Sequence, residues 1–297
     1  MTRHLAAGFL GALLVLSTSL PAYAAFELVD PSQAPAAAAT SIPSAASVGP
    51  MSYISQTLNN CGPASVAEVL DYWGIHRTQG QVQAVLRADG NPNGMAPFGI
   101  PAYARSLGMS AFMGTGGNQQ LIKSLIAGGF PVIVGQWVSL SDHYGHYRPV
   151  GAYDDARGVF ISSDSYLGPN HVIGYGEFDK LWASSNSRFY VIYPPAREQA
   201  LQNIFAGVGY DPMSAYQADI AIQQARLQGG QINGPQGWGF RRGYSALSMA
   251  WDSLQLGDAV AAQQALDWAR AQGVSPVISG WIADELKLRQ SAARTAA

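Results

Sequence analysis

Between residues 51 and 193 the spacing of apolar residues changes period once, from helical to strand-like, and this limits the fold more than any composition figure. Residues 63–73 put Val66, Val69, Leu70 and Trp73 on one helical face, and Gly74 is a suitable stop. Residues 81–88 and 101–107 read as two more short helices. A third, over 118–127, turns Leu121, Ile122, Leu125 and Ile126 inward and halts at Gly128-Gly129. From there the pattern is β-like: 131–138, 146–153, 158–163 and 188–193 read as strands. Residues 154–158 supply turn chemistry for a hairpin between the second and third. Helices first and an antiparallel sheet second is an α+β order, and it excludes a parallel sheet built from βαβ units.

The flanks read differently. Arg3 and His4 precede an apolar run from Leu5 to Leu16, and small residues stand at Ala22 and Ala24 around Tyr23. Residues 1–24 are therefore expected to be a secretory signal peptide, with an apolar run too short to span a bilayer. Export to the periplasm or the medium follows, with no membrane span after cleavage. Residues 25–50 are rich in Ala, Pro and Ser and read as a linker; 51–195 form the first globular block. Residues 196–297 are helical in spacing, with segments at 215–228, 245–256, 259–272 and 277–288. Within Leu256-Gly257-Asp258 the glycine stops one helix and the aspartate caps the next. The resulting hairpin has a tetratricopeptide look, but one hairpin is no array. This block reads as a small bundle or appendage behind Pro194-Pro195. Trp238, Trp251, Trp268 and Trp281 favour docking on the first block or on a partner protein. With 17 basic and 19 acidic residues the chain has no broadly basic surface, so nucleic acid is excluded as a partner.

Cys61 is the single cysteine, so no intramolecular disulfide can form. A lone thiol in an oxidising compartment is either buried or chemically employed. Its setting, Gln56-Thr-Leu-Asn-Asn-Cys61-Gly62-Pro63-Ala64-Ser65, places it where a loop becomes a helix. Unpaired N–H groups there favour thiolate, the nucleophilic form. Gln56 lies on the approach and offers an amide that could join the Cys61 N–H at an oxyanion. A thiolate also needs a base, and that base an orienting group. His146 opens one strand of the hairpin and Asp164 closes the other, at comparable distances from the turn. A carboxylate there can fix the imidazole tautomer. His143 is a rival base in a loop-like setting. Asp142, His143, His146 and Asp164 lack HExxH or paired Cys/His spacing, which argues against a metal site. Asp154 and Asp155 read as turn residues, Trp137 and Trp182 as core, and Arg241-Arg242 as a solvated face.

Asn-Cys-Gly-Pro-Ala-Ser, then Gly-His-Tyr with Val-Gly-Ala-Tyr-Asp-Asp, then Asp-Ser-Tyr-Leu-Gly, resemble the C39-like cysteine peptidases of papain-like fold. The likeness covers about residues 51–193. It implies Cys61 as nucleophile, His146 as base, Asp164 as its partner and Gln56 in the oxyanion hole. Three positions depart from the pattern. Arg148-Pro149 replaces an apolar pair, and Ser165 stands where proline is common. Pro149 removes a ladder donor, so its strand should lie at an edge or carry a bulge. The resemblance implies a peptide or other amide as substrate and no cofactor. No GxxxxGK[ST] loop accompanies it, so leader trimming coupled to an exporter is not expected. Two alternatives stay open: a catalytically silent peptide-binding module, and an acyl transferase using the same triad.

Overall fold

The computed structural model describes residues 42–91, 94–229 and 242–296. The signal-peptide segment, residues 25–41 of the linker, Trp238 and Arg241 lie outside them. The first strand is β1 (Ala45–Ser47), followed by α1 (Cys61–Tyr72), α2 (Gln79–Leu86) and α3 (Ile100–Ser106). Then come β2 (Ser110–Gly114), α4 (Gln119–Ala127), β3 (Val132–Trp137), β4 (Gly145–Asp154), β5 (Val159–Asp164) and β6 (Gly168–Gly174). After α5 (Tyr175–Trp182) and β7 (Phe189–Tyr193), the chain is helical: α6 (Glu198–Gly207), α7 (Pro212–Leu227), α8 (Arg242–Gln255), α9 (Ala259–Ala271) and α10 (Pro276–Ala296). The order is α+β, as the period change implies.

The strands form one antiparallel sheet in the order β2-β7-β3-β4-β5-β6, with β1 paired to β4. Alternation along the central strands divides the core in two. Ile133, Tyr147, Tyr190 and Ile192 face α1 and join one hydrophobic cluster. Val132, Val134, Phe189 and Val191 face the other way, onto α4, α5 and α6. Because α1 packs on β4 and α2, it is buried from Cys61 to Leu70 and not on one face only. Gly62 permits the close approach, since a Cβ there would sit 2.8 Å from Met95 Cε and 3.0 Å from Tyr147.

One expectation needs correction. Residues 45–47 are not linker, because Ala46 pairs with Tyr153 and packs against the second cluster. Of the edge or bulge expected for the strand of Pro149, the structure takes the bulge: the strand lies inside the sheet, and the β4–β5 register shifts between Val150 and Ala152. The C-terminal helices dock on the first block. Trp251, Leu254, Leu266 and Ile282 belong to the same cluster as α1, and Gly99 lies directly under the Trp281 ring. Arg188, at the entrance to β7, pairs with Asp219 of α7 in the interior. Trp251 and Trp281 thus dock as their composition suggests, while Trp268 remains exposed. Asp258 does cap α9, accepting from Ala261 N at 2.8 Å.

Candidate active site

Cys61 is the first residue of α1. Asn60 occupies the cap position without capping, since its side chain is turned to Gln79 and Arg87 instead. The helix end therefore keeps N–H groups available to the sulfur, and Gly62 N–H is one that meets it. Gln79 also receives Thr57 N–H at 2.8 Å and donates to Ser55 at 2.7 Å, pinning the approach to Cys61.

Across from the helix end stands His146, 2% exposed, in hydrogen-bond contact with the Cys61 side chain. Its Nε2 lies 3.0 Å from Asp164 Oδ1, which leaves Nδ1 for the thiol. The β4–β5 ladder ends at Val150↔Ser162, so His146 and Asp164 sit beyond it, where the two strands no longer pair. The two residues that the hairpin spacing pairs thus meet in the structure. The same carboxylate receives Tyr166 and Leu167 N–H at 2.9 Å each on Oδ1 and Arg148 Nε on Oδ2.

Gln56 is tied to the residue after Asp164. Its N–H donates to Ser165 O, and Ser165 Oγ donates to Gln56 Oε1, both at 2.9 Å. With the carbonyl end so engaged, the Nε2 end is the one left to donate. Ser163 Oγ holds Ser52 O, and Glu68 of α1 accepts Ile54 N–H at 2.7 Å, so the segment before Cys61 is fastened from both sides.

His143 is committed elsewhere. It is exposed, its ring stacks on Trp137 at 3.7 Å between centroids, and its Nε2 meets Leu140 O. Trp137 and Trp182 are core residues, each 1% exposed. Among the described residues no group of three or more His, Cys, Asp or Glu has the geometry to hold a metal ion.

Burial opposes a charged sulfur at Cys61, yet the hydrogen bond and charge of His146, with Tyr147 and Gly62 N–H, outweigh it and hold the thiol below its usual value. For His146 burial disfavours the imidazolium, but hydrogen bonds to Asp164 and Cys61 and their charges raise it to about 9. Burial likewise opposes ionisation of Asp164, and His146, Arg148 and Leu167 N–H hold it well below the carboxylate range. The directions agree on a thiolate–imidazolium pair backed by a carboxylate. Glu68 behaves oppositely: burial pushes it up to about 8, against the hydrogen bond from Ile54, so it is neutral at pH 7.

Arg148 and Ser165 stood out in the sequence only as departures from a pattern, and Glu68 and Gln79 did not stand out at all. Arg148 carried a legible signal, a charge inside an otherwise apolar strand. The others lie in ordinary polar contexts.

Residues 49–189 match the model of the Peptidase_C39 like family. No curated protein matches the chain. Two solved structures resemble it at low identity. A double glycine motif protease from an AMS/PCAT transporter, in complex with the leader peptide, is 21% identical over 49% of this chain and 92% of its own, with a TM-score of 0.39. The peptidase domain of Streptococcus ComA, a bi-functional ABC transporter involved in quorum sensing, is 19% identical over 48% and 96%, with a TM-score of 0.40. Cys61, His146 and Asp164 all fall inside residues 49–189, the segment that matches the C39-like peptidase family.

Proposed function

We propose that the chain is an exported cysteine peptidase, or amide hydrolase, acting through Cys61, His146 and Asp164. The observation that carries this reading is the contact of a helix-start thiol with a buried imidazole whose far nitrogen is 3.0 Å from a buried carboxylate. Cys61 Sγ attacks the amide carbonyl carbon, and the carbonyl π electrons move onto oxygen. The Cys61 N–H and Gln56 Nε2 stabilise that oxyanion. When the oxyanion collapses, the C–N bond breaks and His146 gives its proton to the leaving amine. Water, deprotonated by the now neutral His146, resolves the thioester to a carboxylic acid and returns the thiolate. Asp164 holds the ring through both halves as a positioning residue. Export rests on the pattern of residues 1–24, and among the described residues no helix is long and apolar enough to cross a membrane.

The test uses a peptide carrying an epoxide or fluoromethyl ketone. It should add once to the folded protein, at Cys61, and not to Cys61→Ala. A peptide mixture should yield new N-termini only with the unsubstituted protein. Addition solely after unfolding, or identical cleavage by Cys61→Ala, overturns the reading.

A further inference from the structure

Three of the four charge-bearing side chains at this site belong to the expected triad; the fourth is Arg148. It is 0% exposed, two residues along β4 from His146, and its Nε is hydrogen-bonded to Asp164 Oδ2. Its Nη2 donates to Val138 O at 3.3 Å, and its Nη1 is buried without a protein partner. Asp164 is also 0% exposed. A buried carboxylate beside a thiolate–imidazolium pair would leave the cluster with a net charge of −1. An uncompensated charge in such surroundings is avoided by taking up a proton. The proton would come to rest on sulfur or carboxylate, and either outcome removes the reactive form.

We propose that Arg148 is a positioning residue for the reaction, neutralising Asp164 so that Cys61 and His146 can both be charged in a buried site. The inference rests on the peptidase reading above. In charge terms the pair Asp164–Arg148 presents His146 with a net-neutral acceptor, as a carboxamide would. The charges then alternate from sulfur to imidazolium to carboxylate to guanidinium and sum to zero. No bond is made or broken by Arg148; it acts through Asp164 and, at longer range, by attraction to the thiolate.

Other titratable groups near the cluster do not supply this balance. Glu68, on α1, lies within electrostatic range of Asp164 and His146 and is neutral at pH 7. Glu177, on α5, acts on Arg148 but is exposed to solvent. His171, on β6, is held below its usual value, first by burial and then by Arg148, and is neutral at pH 7. The guanidinium is thus the positive charge paired with the buried carboxylate.

The experiment reads the pH dependence of Cys61 alkylation by iodoacetamide, which needs no substrate. Arg148→Met, Arg148→Lys, Asp164→Asn and the double variant Arg148→Met/Asp164→Asn are compared with the unsubstituted protein. Arg148→Met should move the alkylation limb up by about one pH unit or more, because Asp164 loses its opposite charge and its field on the thiolate is no longer offset. Arg148→Lys should recover part of the shift. The double variant should lie closer to the unsubstituted protein than Arg148→Met does, because removing both charges restores the balance. Should Arg148→Met fail to fold, folding of the double variant with a low limb is the expected sign of the same coupling. A purely structural arginine predicts otherwise. A limb that Arg148→Met leaves unmoved, or one that it shifts equally with and without Asp164→Asn, overturns the proposal. An unsubstituted protein that alkylates only above about pH 8.5, the range of a free thiol, overturns instead the reading on which it rests.

Discussion

Arg148–Asp164 and Arg188–Asp219 are both buried ion pairs, and their surroundings give them different consequences. Asp219 spends its remaining capacity on fixed groups, accepting Asn186 Nδ2 at 2.7 Å and Gln223 Nε2 at 3.0 Å. Its neighbour Asp252 is pushed well above the carboxylate range, by burial first and then by the charge of Asp219, and stays neutral. The Arg188 pair is therefore a fastener between the sheet and the C-terminal helices. Asp164 spends its other oxygen on His146, which titrates and touches a nucleophile. Taking two charges out of water has a similar cost in both places. What differs is the remaining acceptor. Given to an amide, a buried pair holds elements together; given to an imidazole, it also sets a proton's position.

The largest break in that comparison is a chain ending at Pro195. It strands Arg188 without Asp219 and strips Trp251, Leu266 and Ile282 from the cluster around α1. Such a chain is expected not to fold, read as loss of cooperative melting and of the native near-ultraviolet dichroism. Point substitutions then separate the two pairs. His146→Ala should lower turnover by about 10²- to 10⁴-fold, the range for a general base, with a small change in melting temperature. Asp219→Ala should do the reverse, costing about 3–5 kcal/mol of stability, as breaking a buried pair does, while the alkylation limb stays in place.

Next in size is Gln56→Ala, expected to lower kcat by about 10²- to 10³-fold through loss of an oxyanion donor. Ser165→Ala should lose less, since the Gln56 N–H to Ser165 O bond survives it. Glu68→Gln acts through pH. A carboxyl whose folded value is raised to about 8 contributes stability that is full below its ordinary value and lost progressively as pH rises toward 8. Denaturant midpoints of Glu68→Gln should therefore fall less between pH 5 and pH 9 than those of the unsubstituted protein. His143→Ala sits at the small end. Its ring is stacked on Trp137 and engaged by Leu140 O, so turnover should be unchanged, and a loss equal to that of His146→Ala would reverse the assignment of the base.

Much of the site was legible because its signals are local. A cysteine before Gly-Pro at a helix start is a statement about a few bonds, and so is the distance of His146 and Asp164 from one hairpin turn. What escaped depends on tertiary placement. Strand β6 contains Gly168, Pro169 and Asn170, with Asn170 at φ 56°, and reads as a turn. Pairing with β5 at the sheet edge, where proline is tolerated, overrides that composition. Strand β1 is three residues of Ala and Ser whose order comes from β4 beside it and the second cluster against which Ala46 packs. Arg148 is a charge in an apolar strand, but its inward direction depends on where β4 and β5 stop pairing, which no periodicity records.

The most direct measurement of the central claim is a titration of thiolate ultraviolet absorbance in the folded protein, taken as the difference from Cys61→Ser. One thiolate should appear well below the ordinary cysteine range, because His146 and the end of α1 stabilise it. The reactivity of this thiolate should change again near pH 9, where the imidazolium gives up its proton. A thiolate that appears only above about pH 8.5, as in a free cysteine, would contradict the account.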